Sequence, residues 1–168
     1  PQSVLVLAGD HIYKMDYRHM LRFHEERGAD VTVGAVEVPI GEASSFGVLQ
    51  IDNKERIVGF QEKPAEPQPM PGRPDVALGS MGIYVFNASF LYEQLIRDAD
   101  LNASSHDFGK DIIPHLIERG YRVMAHDFAE SSVNMIGDQP YSRDVDTIDA
   151  FSESNLDLTP VTPDPNLC

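Results

Sequence analysis

A chain of 168 residues, 42% hydrophobic and 24% charged, is long enough for one packed core and has the composition of an ordinary globular protein. A formal net charge of -14 argues against nucleic acid as a partner, because so acidic a surface repels phosphate backbones. No apolar run approaches the roughly 20 residues that cross a bilayer, no signal-peptide pattern opens the chain, and the single cysteine, Cys168, excludes an internal disulfide framework or a cysteine metal cage.

Val4 to Leu7 is a continuous aliphatic run that predicts a strand buried on both faces, ended by Gly9-Asp10. Domains seldom start one residue before a core strand, so further sequence is expected upstream. Tyr17, Met20, Leu21 and His24 fall at helical spacing, with Gly28 as the stop. Ala29 to Val38 reads as a second strand. Phe46–Ile51 and Ile57–Gln61 form a predicted hairpin around Asp52-Asn53-Lys54. The five prolines between Pro64 and Pro74 predict an irregular loop. Leu78–Phe86 is the next strand, followed by a helix through Phe90, Leu91, Leu95 and Ile96. A second helix starts near Asp107 and runs to Gly120, with Pro114 in its early turns. Arg122–Phe128 reads as a strand, Thr147–Leu156 as a short helix, and the tail from Thr159, with three prolines, as a linker. Alternating helices and strands with inserted hairpins predict an α/β layered fold on a mixed sheet.

Few residues stand out chemically. Asp10 follows a strand and a glycine, where an aspartate serves either as a hard-cation ligand for Mg²⁺ or as a helix cap. Asp144 is a second carboxylate, either a metal ligand or a loop aspartate at or near the start of the last helix, and the pair would suit a Mg²⁺–phosphate site. Lys63, fixed at a strand end by Pro64, is placed to meet a phosphate as a point charge or to stand in solvent. Ser104, Ser105 and Asp107 offer several helix caps. The six histidines make no zinc-protease pair, and the glycine loops of nucleotide-binding motifs are absent. Taken alone, these residues reach a soluble α/β domain with Mg²⁺-dependent phosphate chemistry as its candidate activity.

Six segments together go further. Leu7-Ala8-Gly9-Asp10-His11-Ile12-Tyr13-Lys14, Glu42 to Val48, Phe60-Gln61-Glu62-Lys63-Pro64-Ala65, Ser80 to Phe86, Ser104 to Pro114 and Tyr141-Ser142-Arg143-Asp144-Val145 follow one another. Their order and wording resemble the ADP-glucose pyrophosphorylase (glucose-1-phosphate adenylyltransferase) family over Val4 to Leu158. The resemblance implies a Rossmann-like nucleotidyltransferase domain over residues 1–158, its mixed, mostly parallel sheet flanked by helices and its N-terminal part lying upstream. Residues 159–168 would lead to a C-terminal β-helix. It also implies roles. Asp10 and Asp144 hold Mg²⁺ and, with Lys63, carry catalysis. Lys63 binds the phosphate of glucose 1-phosphate, while Gly47, Glu62, Ser80, Tyr84, Asp107 and Phe108 surround the sugar. The implied reaction joins ATP and glucose 1-phosphate into ADP-glucose and pyrophosphate for glycogen synthesis, in a cytoplasmic, allosteric homotetramer without nucleic-acid or membrane partners. The family usually has an aromatic residue where Ser142 stands and a glycine where Asp146 stands. Two other readings are a noncatalytic sugar-phosphate-binding regulatory subunit and a pyrophosphorylase for another base. A chain lacking the upstream glycine-rich, arginine-containing loop is expected to turn over weakly.

Overall fold

A computed structural model describes residues 2–132, 135–136, 139–140, 142–145, 147–157 and 159. In chain order the elements are β1 (Ser3–Val6), β2 (His11–Tyr13), α1 (Tyr17–Glu26), β3 (Val31–Pro39), β4 (Gly47–Ile51), β5 (Ile57–Glu62) and β6 (Val76–Asn87). After them come α2 (Ala88–Ala99), α3 (Ile113–Glu118), β7 (Val123–Asp127), β8 (Met135–Ile136), β9 (Gln139–Pro140), β10 (Ser142–Asp144) and α4 (Ile148–Leu156). Five strands lie in the order β5-β4-β6-β3-β7, and β1 also pairs with β6.

Alternation along the central strands explains the layers. Val31, Val33 and Ala35 of β3 and Tyr84 and Phe86 of β6 face one side, where Leu91 of α2 and Ile113 and Leu116 of α3 pack. The intervening Met81, Ile83 and Val85 of β6 face the other side and meet Met20 of α1 and Phe128. Helices on both faces are what the α/β pattern predicts.

The sheet is mixed, as expected, but its parallel share is smaller than the sequence suggested. Among the described residues of this sheet only β3 and β7 run parallel; β1 with β6, β3 with β6, β4 with β5 and β4 with β6 are antiparallel. Parallel neighbours need a long crossover, usually a helix. Here β4 turns into β5 within five residues and pairs with it antiparallel, while β6 runs antiparallel to both of its path neighbours, β4 and β3. The expectation of a first strand buried on both faces also fails. All of Ser3–Val6 is only half-buried and Leu7 is exposed, because among the described residues β1 has β6 as its single sheet neighbour.

Local chemistry accounts for the rest. Asp52 builds the hairpin turn by accepting from the backbone N–H groups of Lys54 and Arg56 at 2.8 and 3.0 Å. Asp16, not Asp10, caps α1, taking the Arg18 N–H at 3.0 Å. The helix predicted from Asp107 begins instead as a wide turn over Phe108–Ile112, in which the Ile112 N–H reaches back to the Asp107 carbonyl at 3.2 Å. Pro114 has no N–H to offer the Lys110 carbonyl, and a widened turn upstream of it is the natural accommodation. Residues 160–168, read as a linker, lie outside the described residues, as does Asp146.

Candidate functional site

The site grows from an irregularity in the longest strand. Along β3 and β6 the pairing steps from Val33–Tyr84 to Ala35–Ser80, so β6 spends two more residues than β3 over this stretch. Gly82 sits inside that bulge at a φ of +68°, a conformation side chains with a Cβ rarely adopt. The bulge turns Ser80 and Tyr84 toward a cavity of about 320 Å³. Tyr84 is 6% exposed, and its hydroxyl, beside Ser80, has its pKa raised to about 12. Burial is the main cause, reinforced by the neighbouring charges of Asp107 and Glu62. The group is a neutral hydrogen-bonding hydroxyl at any working pH.

Three further segments close the cavity. One is the end of β5, where Phe60, Glu62 and Lys63 line it beside Ser45, Phe46 and Gly47 at the start of β4. Lys63 stands at a φ of +41° and gives its N–H to the Phe46 carbonyl at 3.1 Å, so a left-handed residue, held by this bond against the extended preference that Pro64 imposes, turns the chain out of the strand. Gly47 is required by this packing: a Cβ there would lie 2.5 Å from Phe60 Cζ and 3.2 Å from Glu62 Oε2. The second segment is Asp107–Gly109. Asp107 Oδ1 accepts the Lys110 N–H at 2.8 Å, and Phe108 stacks on Tyr84 with ring centroids 5.3 Å apart. Gly109 likewise leaves room, since a Cβ would come 3.0 Å from Glu62 Oε2.

The third segment is the rim, Asp10 and His11. Asp10 is exposed, and the His11 Nδ1 lies 3.8 Å from Asp10 Oδ1, buried and without a hydrogen-bond partner among the described residues. No helix begins at Asp10. Instead β2 follows it and pairs antiparallel with β10, setting Asp144 opposite His11, and the Val145 N–H donates to the Asp10 carbonyl at 2.9 Å. Residues 134 positions apart in sequence are thus brought to adjacent backbone positions at the mouth of the cavity. Spacing alone could not show that the two residues meet; only the resemblance, in which they share Mg²⁺, pointed to it.

Eight of the nine residues singled out from the sequence therefore line one cavity: Asp10, Gly47, Glu62, Lys63, Ser80, Tyr84, Asp107 and Phe108. The ninth, Asp144, is joined to its rim through the β2–β10 ladder. The sequence reading passed over His11, Phe46, Phe60 and Gly109, although each lies inside a motif block it quoted. The charge balance of the lining is informative. Asp10, Glu62 and Asp107 are acidic, and Lys63 is the one lysine or arginine among the lining residues. Carboxylates of this kind accept from hydroxyl groups, whereas a phosphate would need the lysine or a bound cation to offset their charge.

An α/β domain with a polar cavity of small-molecule size at a sheet bulge is the class of protein that the fold and site define. Comparison with known families is more specific: the profile described as nucleotidyl transferase matches residues 1–160, and the chain belongs to that family. Relatives named glucose-1-phosphate adenylyltransferase include those of Nitrosomonas europaea, 58% identical over 167 residues, and Methylobacillus flagellatus, 58% over 166. A third, from Nitrosococcus oceani, is 57% identical over 167 residues. In each case the match covers 99% of this chain and 39% of the relative, so the chain spans about two-fifths of the length of these curated relatives.

Proposed function

We propose that this chain forms the sugar-phosphate side of the active site of a glucose-1-phosphate adenylyltransferase. The observation that carries the reading is the convergence of Lys63, Glu62, Ser80, Tyr84, Asp107 and Phe108 on one cavity with Asp10 at its rim. Lys63 binds the phosphate of glucose 1-phosphate as a point charge. Glu62 and Asp107 accept from sugar hydroxyls, Ser80 and Tyr84 add neutral hydrogen bonds, and the Phe108 ring covers an apolar face of the sugar. Their joint effect is to fix the orientation of the phosphate oxygen that attacks the α-phosphorus of ATP as pyrophosphate leaves, and positioning of this kind supplies much of the rate of phosphoryl-type transfers.

A hard cation fits the donor set at the rim, where two carboxylate residues, Asp10 and Asp144, occupy neighbouring backbone positions. They would hold Mg²⁺, which when bound neutralises phosphate oxygens. Among the described residues no helix is long and apolar enough to cross a membrane. Glycogen synthesis, a cytoplasmic setting, allosteric control and a homotetrameric parent enzyme belong to the same proposal and rest on the family resemblance. So do ATP as the nucleotide and weak turnover by this chain alone.

Because the chain spans 39% of its relatives' length, ligand binding is the property to measure first. Calorimetric titration with glucose 1-phosphate is expected to saturate at one site, and Lys63→Ala to weaken it by roughly 10- to 100-fold, as for loss of a charged hydrogen bond. Absence of saturable binding, or full affinity in Lys63→Ala, contradicts the reading. In the intact enzyme the same substitution weakens glucose 1-phosphate far more than ATP.

A further inference from the structure

The Asp107–Gly109 wall hangs on a loop between α2 and the wide turn at Phe108, and His106 within that loop stands at a φ of +60°. A non-glycine residue there is disfavoured, so something outside the loop must hold it. Two carboxylates bond to it. Asp111 accepts from Ser105 N, Ser105 Oγ and Asp107 N at 3.1, 2.6 and 3.1 Å, but Asp111 is part of the turn and moves with it. Asp98 is different. It lies on α2, is 3% exposed, and is anchored to the body of the fold through a helix whose Leu91 is in the core. Ser104 Oγ donates to its Oδ1 at 2.9 Å, His106 Nδ1 bonds its Oδ2 at 2.9 Å, and Arg97 Nη2 lies 3.9 Å from Oδ1. The His106 N–H closes the ring by donating to Ser104 Oγ at 3.0 Å. A buried carboxylate is costly unless so fully bonded, and the bonds it makes are confined to this loop and its own helix.

We propose that Asp98 is a positioning residue for the sugar side of the pocket: through Ser104 and His106 it fixes the left-handed turn that aims Asp107 and Phe108 into the cavity. It touches no ligand itself. The proposal rests on the functional reading only in taking a sugar as what this wall faces.

The two halves of the ligand separate this role from general stability. Asp98→Asn is expected to weaken glucose 1-phosphate about tenfold while inorganic phosphate, held by Lys63 just past the end of β5, changes by less than about twofold. Backbone amide resonances of Asp107–Gly109 shift in the same variant, and those of Gly47 and Lys63 do not. His106→Asn, which keeps tolerance of positive φ and a side-chain donor, retains more sugar affinity than His106→Ala. Equal weakening of both ligands, unchanged binding of both, or unmoved Asp107–Gly109 amides overturns the proposal. If the unsubstituted chain fails to bind glucose 1-phosphate, the functional reading falls, and the amide shifts still decide the role of Asp98. If Asp98→Asn does not fold, the His106 pair decides it: equal losses in the two variants overturn the role.

Discussion

The pocket has two walls of unlike construction. One is the bulge of β6, where Ser80 and Tyr84 project from a strand flanked by fully buried residues such as Ile83, Val85 and Phe86. The other is made of loops that leave regular structure through left-handed residues, Lys63 at +41° and His106 at +60°, and are held by side-chain and backbone hydrogen bonds. The first wall inherits its precision from the core. The second must be positioned by contacts specific to it, and such loops are where ligand discrimination and local opening concentrate. The difference suggests that the strand wall sets the shape of the site and the loop wall sets what it holds.

Acid separates the sheet from the loops with the largest expected effect. His126 on β7 is 2% exposed, bonds Ser131 Oγ through Nε2 at 2.6 Å and leaves Nδ1 without a hydrogen-bond partner among the described residues; burial lowers its pKa from 6.5 to about 4. The unfolded chain therefore binds a proton that the folded chain refuses between these values. Its stabilising effect is complete above about pH 6.5 and is lost as the pH falls toward 4, a change of at most about 3 kcal/mol. His24, also lowered by burial, acts in the same direction. Asp98 and Asp111, the two carboxylates that hold the loop wall, are kept below the usual carboxylate value of 3.8 by their hydrogen bonds, so their contribution persists until the pH drops below that range. Denaturant midpoints measured from pH 7 to 4 should fall steadily, and His126→Gln should flatten the decline.

Gly47→Ala strikes where the two walls meet. The new Cβ displaces the Phe60 ring, which packs against the core, and crowds the Glu62 carboxylate. Overpacking of this kind costs about 1–3 kcal/mol, visible in urea denaturation, and it should lower sugar affinity as well. Stability equal to the parent chain would show that Phe60 is freer than the packing implies. Tyr84→Phe is milder: it removes a buried hydroxyl beside Ser80 from the strand wall and should cost at most about 1 kcal/mol in stability, with ring stacking on Phe108 intact. Smallest is the difference between Lys63→Gly and Lys63→Ala. Both remove the charge, but glycine relieves the positive φ, so the glycine variant should be the more stable by about 1 kcal/mol when thermal unfolding is compared.

The two walls were also unequally legible in the sequence. Ser80 and Tyr84 lie in a run of alternating aliphatic and aromatic residues that predicts a strand, and the resemblance added their role; the bulge that aims them had only Gly82 as a sign. Lys63-Pro64 announced a strand exit, although nothing in that dipeptide reveals the left-handed turn. The β2–β10 ladder escaped notice because three-residue strands carry no usable period and their pairing is a tertiary fact. Asp98 was passed over for a related reason. A carboxylate late in an amphipathic helix looks solvent-facing, and its burial depends on a loop folding back over it from Ser104 and His106. The mixed sheet followed from the α/β pattern, whereas its mostly parallel character came with the resemblance; in this chain β6 runs antiparallel to β1, β3 and β4.

The central claim is that both walls close on one ligand, and amide chemical-shift mapping of the chain during titration with glucose 1-phosphate tests it most directly. The account predicts saturable shifts with a single dissociation constant at Gly47 and Lys63, at Ser80 to Tyr84, and at Asp107 to Gly109. Shifts confined to one wall, or shifts that saturate at different concentrations on the two, would contradict it.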